Sequence, residues 1–134
     1  MTTTHRYIST VSFQEDTEGK IISSSDTTIS NSVETNVTVT LPDGTTDQQH
    51  TVTINDSKVK SFYMLSTQDL LVETNDGGSP DVTFNLSANE PFYWHINLGI
   101  PIASVLGGND LDDLFLTNSS GTSADFIFRS IRSA

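Results

Sequence analysis

Apolar residues recur at every second position along much of this 134-residue chain, and this period restricts its fold more than any other feature. In residues 36–41 and 81–86, apolar side chains alternate with threonine, asparagine and aspartate. Because successive side chains of a strand point to opposite faces, such segments are typical of half-buried strands. No stretch has the three-to-four spacing of a long amphipathic helix. The pattern therefore predicts an all-β chain.

Some predicted strands are apolar on both faces. They are residues 58–65, 69–74, 114–117 and 124–129. Strands of this kind lie at the centre of a sandwich, or they bring a second face to a partner.

Turn-forming residues separate the strands and suggest how they connect. Pro42, Asp43 and Gly44 lie between the alternating segments 36–41 and 51–54. Because proline and Asp-Gly favour turns, these two segments predict a hairpin. A single helical turn is expected within residues 104–113, capped by Asn109 or Asp110.

The strands recur at intervals of roughly 8–12 residues, which is typical of one antiparallel β-sandwich domain. We assign residues 1–134 to that domain, with the core strands in 33–134 and a polar arm or loop region in 1–32. Residues 15–32 are rich in serine and threonine and fit either a long loop or an edge hairpin.

Composition excludes several classes of function. The chain carries 17 acidic and 6 basic residues, a net charge of -11, which argues against nucleic-acid binding and against docking on an anionic membrane. It has no cysteine, so disulfides, a cysteine nucleophile and zinc–thiolate sites are excluded. No apolar run follows the first residues, so synthesis in the cytoplasm without a secretory signal is expected.

No catalytic pattern stands out. There is no Gly-x-Ser-x-Gly motif, and His5, His50 and His95 have no close spacing, so neither a triad nor a metal site is predicted. Asp112 and Asp113 are adjacent, which on a strand directs them to opposite faces. We predict that the chain is not an enzyme and needs no cofactor. The oxygen-rich loops 43–47, 75–78 and 109–113 leave calcium open, although none has EF-hand spacing.

The aromatic residues divide between the two faces of the predicted strands. We expect a buried set, because large rings on one strand face usually form the core; it comprises Phe62, Phe84, Phe92, Trp94 and Phe126. In residues 92–98 the apolar positions fall on one side of a strand. Tyr63, Tyr93 and His95 lie on the opposite face, and with Arg6 of the N-terminal arm they are our candidate partner-contact residues.

The order of strands and turns is most distinctive in the second half of the chain. It runs through KVKSFYML (58–65), DLLVETN (69–75), SPDVTFNLSANEPFYW (79–94) and LFLTNSSGTSADF (114–126). On these segments, residues 58–131 resemble the jelly-roll capsid decoration (cement) proteins of tailed bacteriophages.

The resemblance implies a jelly-roll-like sandwich without an active site. It further implies a virion protein that binds the outside of the shell, bridges copies of the major capsid protein, and self-associates as a dimer or trimer. A phage tail or head-fibre component is one alternative. A carbohydrate-binding sandwich that stacks sugars on Trp94, Tyr93 or Tyr63 is another.

Overall fold

A computed structural model of the chain describes residues 2–15 and 18–134, with side chains described outside residues 11–23. Strands dominate this part of the chain. They are β1 (Thr3–Glu15), β2 (Glu18–Asn31), β3 (Val33–Leu41), β4 (Gln48–Ile54), β5 (Val59–Ser66), β6 (Leu70–Thr74), β7 (Thr83–Leu86), β8 (Phe92–His95), β9 (Leu111–Thr117) and β10 (Ala124–Arg132).

Eight of these strands form two four-stranded antiparallel sheets, ordered β3-β10-β5-β8 and β4-β9-β6-β7. Along the chain the strands pass back and forth between the two sheets, so nearly every connection crosses the sandwich. This interleaving of two four-stranded sheets is the jelly-roll arrangement. The all-β, antiparallel, jelly-roll-like sandwich predicted from the sequence is therefore confirmed.

The two-faced apolar strands lie where the sequence predicted. β10 and β5 are the interior strands of one sheet, and β9 and β6 are the interior strands of the other. These four strands correspond to the four segments that are apolar on both faces, except that residues 58 and 69 lie just before β5 and β6. An interior strand is flanked by side chains of the paired strand on each side, and its outer-face residues, such as Tyr63 and Phe115, are half-buried.

The predicted hairpin of residues 36–41 and 51–54 is wrong. β3 pairs with β10, whereas β4 pairs with β9 in the opposite sheet. The turn after Leu41 carries the chain from one sheet to the other, and Asn118 anchors it by donating from Nδ2 to the Leu41 carbonyl at 2.9 Å. Turn residues show where a strand ends but do not specify the partner of the next strand.

The core lies between the two sheets and is filled by apolar side chains. Of the aromatics predicted to be buried, Phe62, Trp94 and Phe126 are at most 4% exposed. Phe84 is buried, and Phe92 is half-buried with its ring centroid 4.8 Å from that of Phe84. The prediction is confirmed for four of the five aromatics, whereas Phe92 packs against the core and stays partly exposed.

The strand predicted over residues 92–98 ends early. β8 stops at His95, a 3₁₀ turn covers Ile96–Leu98, and Gly99 follows with a left-handed φ of 75°. The helical turn α1 spans Ala103–Leu106 and ends at Gly107, so the predicted caps at residues 109 and 110 lie beyond it. No helix in the described part of the chain is long and apolar enough to cross a membrane.

The N-terminal region forms a separate two-stranded sheet. β1 pairs antiparallel with β2, from Thr3 opposite Asn31 to Glu15 opposite Glu18. These strands have 13 and 14 residues, so they are longer than any strand of the sandwich. The polar region expected over residues 1–32 is therefore a hairpin in its described part, which agrees with the hairpin and not with the long loop left open for residues 15–32. Ser and Thr side chains suit a strand exposed on one face. Asp16 and Thr17 lie outside the described residues.

Candidate binding site on the outer face of the sandwich

The base of the N-terminal hairpin packs on the outer face of the β3-β10-β5-β8 sheet. His5 and Tyr7 occupy alternate positions of β1 and face this sheet, together with Ile29 of β2, which is 6% exposed. Nδ1 of His5 lies 2.9 Å from the Ser61 hydroxyl of β5. The Tyr7 ring lies 4.8 Å from the His95 ring, centroid to centroid. The hairpin is therefore joined to the sandwich by polar and aromatic contacts.

One row of cross-strand neighbours is covered by the hairpin. Directly opposed residues of paired strands point to the same face of a sheet. On this outer face the register places Glu34, Ile131, Ser61 and His95 in one row. Ile131 and Ser61 are fully buried and His95 is 5% exposed. The hairpin therefore shields a row that would otherwise face solvent.

The next row along the sheet borders a groove. It consists of Asn36, Arg129, Tyr63 and Tyr93, one from each strand. The groove has a volume of ≈ 350 Å³, and we call it the tyrosine groove. Its lining residues are His5, Arg6, Tyr7, Ile8, Tyr63, Pro91, Tyr93 and Arg129. One wall is the hairpin, and the floor is the outer face of β5, β8 and β10.

The composition of the tyrosine groove differs from that of the chain. All three tyrosines of the protein line it, as do two of its six basic residues. No aspartate or glutamate is among the lining residues, although the chain carries 17. Tyrosine and arginine are the residues most often found where proteins recognise ligands and partners. The groove is the strongest candidate recognition site in the described part of the chain.

The two arginines of the groove differ in their partners. Arg6 faces away from the sheet, and its Nε donates a hydrogen bond to the Asp26 carboxylate at 2.8 Å. This hydrogen bond raises the pKa of the Arg6 guanidinium and lowers the pKa of the Asp26 carboxyl group. Arg129 is exposed and makes no salt bridge with any described residue. Because Arg129 stands on the floor beside Tyr63, its guanidinium can receive an anion in the groove.

His5 of the hairpin and His95 of the sandwich, which meet where the two sheets pack, both favour the neutral form. Burial lowers the pKa of His95, whose Nδ1 is buried and has no hydrogen-bond partner among the described residues. Burial also lowers the pKa of His5, and the nearby Arg129 lowers it further. Glu34 opposes this shift, with a carboxylate oxygen 3.9 Å from Nε2 of His5.

The four predicted partner-contact residues converge at this place. Arg6, Tyr63 and Tyr93 line the groove, and the outer-face position predicted for His95 is confirmed. His95 itself is buried, because Tyr7 of the hairpin covers it. Whether any of the four contacts a partner stays a prediction.

Sequence reasoning missed Tyr7 and Arg129. Arg129 follows Phe128 in a strand, so alternation alone would have placed it opposite the core. Tyr7 carried no such signal, because its face is defined only by the packing of the hairpin on the sheet. Because two separate sheets form this site, the residue pattern of the hairpin or of the sandwich strands alone does not predict it.

Trp94 is not available as a sugar-stacking platform. Its side chain is 4% exposed, and its Nε1 donates to the Ile100 carbonyl at 2.8 Å. Tyr63 and Tyr93 are half-buried and remain the aromatic residues of the groove floor. The carbohydrate-binding alternative therefore depends on the tyrosines.

The oxygen-rich loops use their polar side chains to hold the chain together. Asp76 accepts from the backbone N–H groups of Gly78 and Ser79, which lowers its pKa. Asn75 donates to the Asp110 carbonyl at 2.8 Å and so joins two of the loops. Among the described side chains, those of residues 2–10 and 24–134, no group of three or more His, Cys, Asp and Glu residues is arranged to hold a metal ion.

A second exposed feature lies in the loop between β8 and α1. Ile96, Leu98 and Ile100 are 49%, 39% and 51% exposed, and we call residues 96–100 the apolar loop. Ile8 of the hairpin is the other large apolar residue with comparable exposure in the described chain. A cleft of ≈ 440 Å³ lies beside the loop and is bordered by Lys60. Neighbouring apolar side chains left in water often mark an interaction surface.

Comparisons with known proteins show similarity in overall fold alone. No protein-family model matches the sequence, and no curated protein is similar to it. A de novo designed double-stranded β-helix, solved by NMR, is 20% identical over 72% of this chain and 97% of its own, with a TM-score of 0.42. A cupin domain from Bordetella pertussis Tohama I is 16% identical over 96% of this chain and 94% of its own, also with a TM-score of 0.42.

Proposed function

We propose that this protein is a non-enzymatic virion structural protein that decorates the outside of a capsid shell and stabilises it. The observation that carries the proposal is the apolar loop, which presents Ile96, Leu98 and Ile100 to solvent. Burying such side chains stabilises a contact by about 25 cal/mol per Å² of apolar surface. Because a shell repeats the same contact many times, a modest surface on each copy suffices to hold the lattice.

The interior of the domain supports a structural role. The space between the sheets is packed with side chains that are almost completely buried, among them Phe62, Phe126 and Phe128. A filled core makes the sandwich rigid, and a rigid domain loses less conformational entropy when it bridges neighbouring subunits.

The charge of the chain fits an outward-facing position. A net charge of -11 opposes binding to packaged nucleic acid. The same charge speeds docking where the shell presents basic residues. The proposed partners, taken from the resemblance to decoration proteins, are the major capsid protein and further copies of this chain, as a dimer or trimer.

The tyrosine groove is a separate surface in this proposal. The sequence prediction assigned partner contacts to Arg6, Tyr63 and Tyr93, which all line the groove. We place the shell contact at the apolar loop, because its side chains are more exposed than the half-buried tyrosines.

The first test is the copy number of the protein in purified particles from its source, measured by quantitative peptide mass spectrometry. A simple ratio to the major capsid protein, at hundreds of copies, is the expected result. A few copies per particle would instead favour the tail or head-fibre alternative. Absence from particles would overturn the virion proposal.

The second test is binding of purified variants to particles that lack the protein. We expect Ile96→Ser combined with Ile100→Ser to weaken attachment by at least about tenfold, because two apolar side chains are lost from the contact. Ile8→Ser is the matched control, since Ile8 is 65% exposed but lies on the hairpin. Equal attachment of the double variant and the control would show that the apolar loop is not the contact.

A further inference from the structure

We propose that the tyrosine groove binds an acidic sugar, with Arg129 receiving the carboxylate and Tyr63 and Tyr93 contacting the ring. This site is independent of the capsid attachment proposed above, which uses the apolar loop. Three features of the groove support this proposal: the strands that form its floor, its charge and its aromatic lining.

The part of the groove floor formed by Arg129 and Tyr63 offers a ligand side chains and no free strand edge, whereas Tyr93 stands on the edge strand β8. Arg129 and Tyr63 stand on β10 and β5, which are interior strands with a paired neighbour on each side. Their backbone N–H and C=O groups are therefore used within the sheet. An extended peptide usually gains affinity by hydrogen bonding to free backbone groups at a strand edge. A compact ligand with its own hydroxyl groups suits this floor better.

The charge of the groove selects an anion. Arg129 has no carboxylate partner among the described residues, and no acidic side chain lines the groove. A guanidinium can hold a carboxylate through two parallel hydrogen bonds. Arg6 is held by Asp26 on the outer side of the hairpin, so Arg129 is the cation available to the ligand.

The tyrosines supply the second part of a sugar site. Tyr63 and Tyr93 are directly opposed and half-buried, so each ring has part of its surface open to the groove. Tyr7 stacks on Tyr93 with centroids 5.2 Å apart, which fixes the Tyr93 ring. Aromatic side chains with a polar tip pack against the apolar face of a ring and hydrogen bond at its edge. The volume of ≈ 350 Å³ is at the low end of small-molecule pockets, about 300–1,000 Å³.

The test is an NMR titration of the isolated 134-residue chain with glucuronic acid and with N-acetylneuraminic acid. Glucose serves as the neutral control. We expect the acids to shift the resonances of Tyr63, Tyr93 and Arg129 with a dissociation constant of about 1 mM, and glucose to bind at least about tenfold more weakly. No shift at these residues with either acid would overturn the proposal.

Two variants and one control connect the binding to Arg129. Arg129→Gln is expected to lose at least about tenfold in affinity for the acids, and Arg129→Lys is expected to retain part of it. Lys58→Gln removes the same charge from an exposed position outside the groove, so it should bind as the parent does. Equal losses in Arg129→Gln and Lys58→Gln would show a general effect of charge and would refute the site.

An acidic peptide, acetyl-Glu-Asp-Glu-amide, completes the titration. If it binds the groove more tightly than either sugar acid, the groove is a peptide site and the proposal is wrong. The titration uses the isolated chain, so a lack of sugar binding does not bear on the capsid proposal. Conversely, absence of the protein from particles does not bear on the sugar site.

Discussion

The imidazole of His95 lies 4.8 Å, centroid to centroid, from the phenol ring of Tyr7. His95 ends a strand of the sandwich, and Tyr7 belongs to the N-terminal hairpin. This contact therefore joins two sheets that share no backbone hydrogen-bond ladder. It buries a titratable ring under the hairpin and closes one side of the tyrosine groove.

We predict that docking of the hairpin on the sandwich weakens in mild acid. The pKa values of His5 and His95 lie below 6.5 in the folded chain, chiefly because both rings are buried. When the hairpin is released, each ring takes up protons at a higher pH than when it is docked. Docking is therefore fully stable above about pH 6.5 and loses stability as the pH falls toward the folded pKa values. Hydrogen exchange of the amides of residues 24–31 between pH 7.5 and 5 measures this loss.

The double variant His5→Asn with His95→Asn tests the origin of that pH dependence. It should remove most of the pH dependence, because asparagine does not titrate in this range. His50 also has a pKa lowered by burial, but it lies on β4 in the other sheet, so His50→Asn is the control that should leave hairpin exchange unchanged. An unchanged pH profile in the double variant would contradict the assignment.

Tyr7→Ala is expected to release the hairpin without unfolding the sandwich. The substitution removes the contacts that the Tyr7 ring makes with the rings of Tyr93 and His95. Their loss weakens docking of the hairpin by about 1–3 kcal/mol. Faster proteolysis in the hairpin, with an unchanged midpoint of global denaturation, is the expected result. Tyr7→Phe keeps the ring and should behave nearly as the parent. A fall in the global midpoint with Tyr7→Ala would show that the hairpin and the sandwich unfold together.

Phe128→Ala is expected to destabilise the sandwich strongly. Phe128 is fully buried, and its ring lies 6.2 Å from that of Phe62. Truncating such a side chain leaves a cavity and costs about 3–5 kcal/mol in the free energy of unfolding. Phe115→Ala, at a half-buried position of β9, is the matched control and should cost about 1 kcal/mol. Urea denaturation gives both values, and similar losses would contradict the burial assigned to Phe128.

Asn118→Ala is expected to destabilise the crossing between β3 and β4. The Asn118 side chain is completely buried, donates to the carbonyls of Leu41 and Thr122 at 2.9 and 2.8 Å, and accepts from the Ser120 N–H. Its removal leaves buried backbone groups unpaired, at a cost of about 2–3 kcal/mol. Asn85→Ala, at an exposed position, should change the denaturation midpoint little. A loss no larger than that of the control would show that water replaces the missing amide.

Much of the sandwich could be predicted from local pattern. Alternation separated Phe62 from Tyr63 and Trp94 from Tyr93, and the structure places the first of each pair in the core and the second on the outer face. Segments with two apolar faces became the interior strands of both sheets. These features were accessible because the direction of a side chain from a strand depends only on its position in that strand.

The sequence by itself therefore determined the all-β class, the core-facing positions and the interior strands. Only the tertiary structure decided that β3 and β4 lie in different sheets, that the hairpin covers His95, and that Arg129 and the tyrosines share one groove. The physical reason is that strand pairing and the packing of one sheet on another depend on contacts between residues far apart in the chain. Glu34 and Ile131, for example, face each other across a ladder although 97 positions separate them in the sequence.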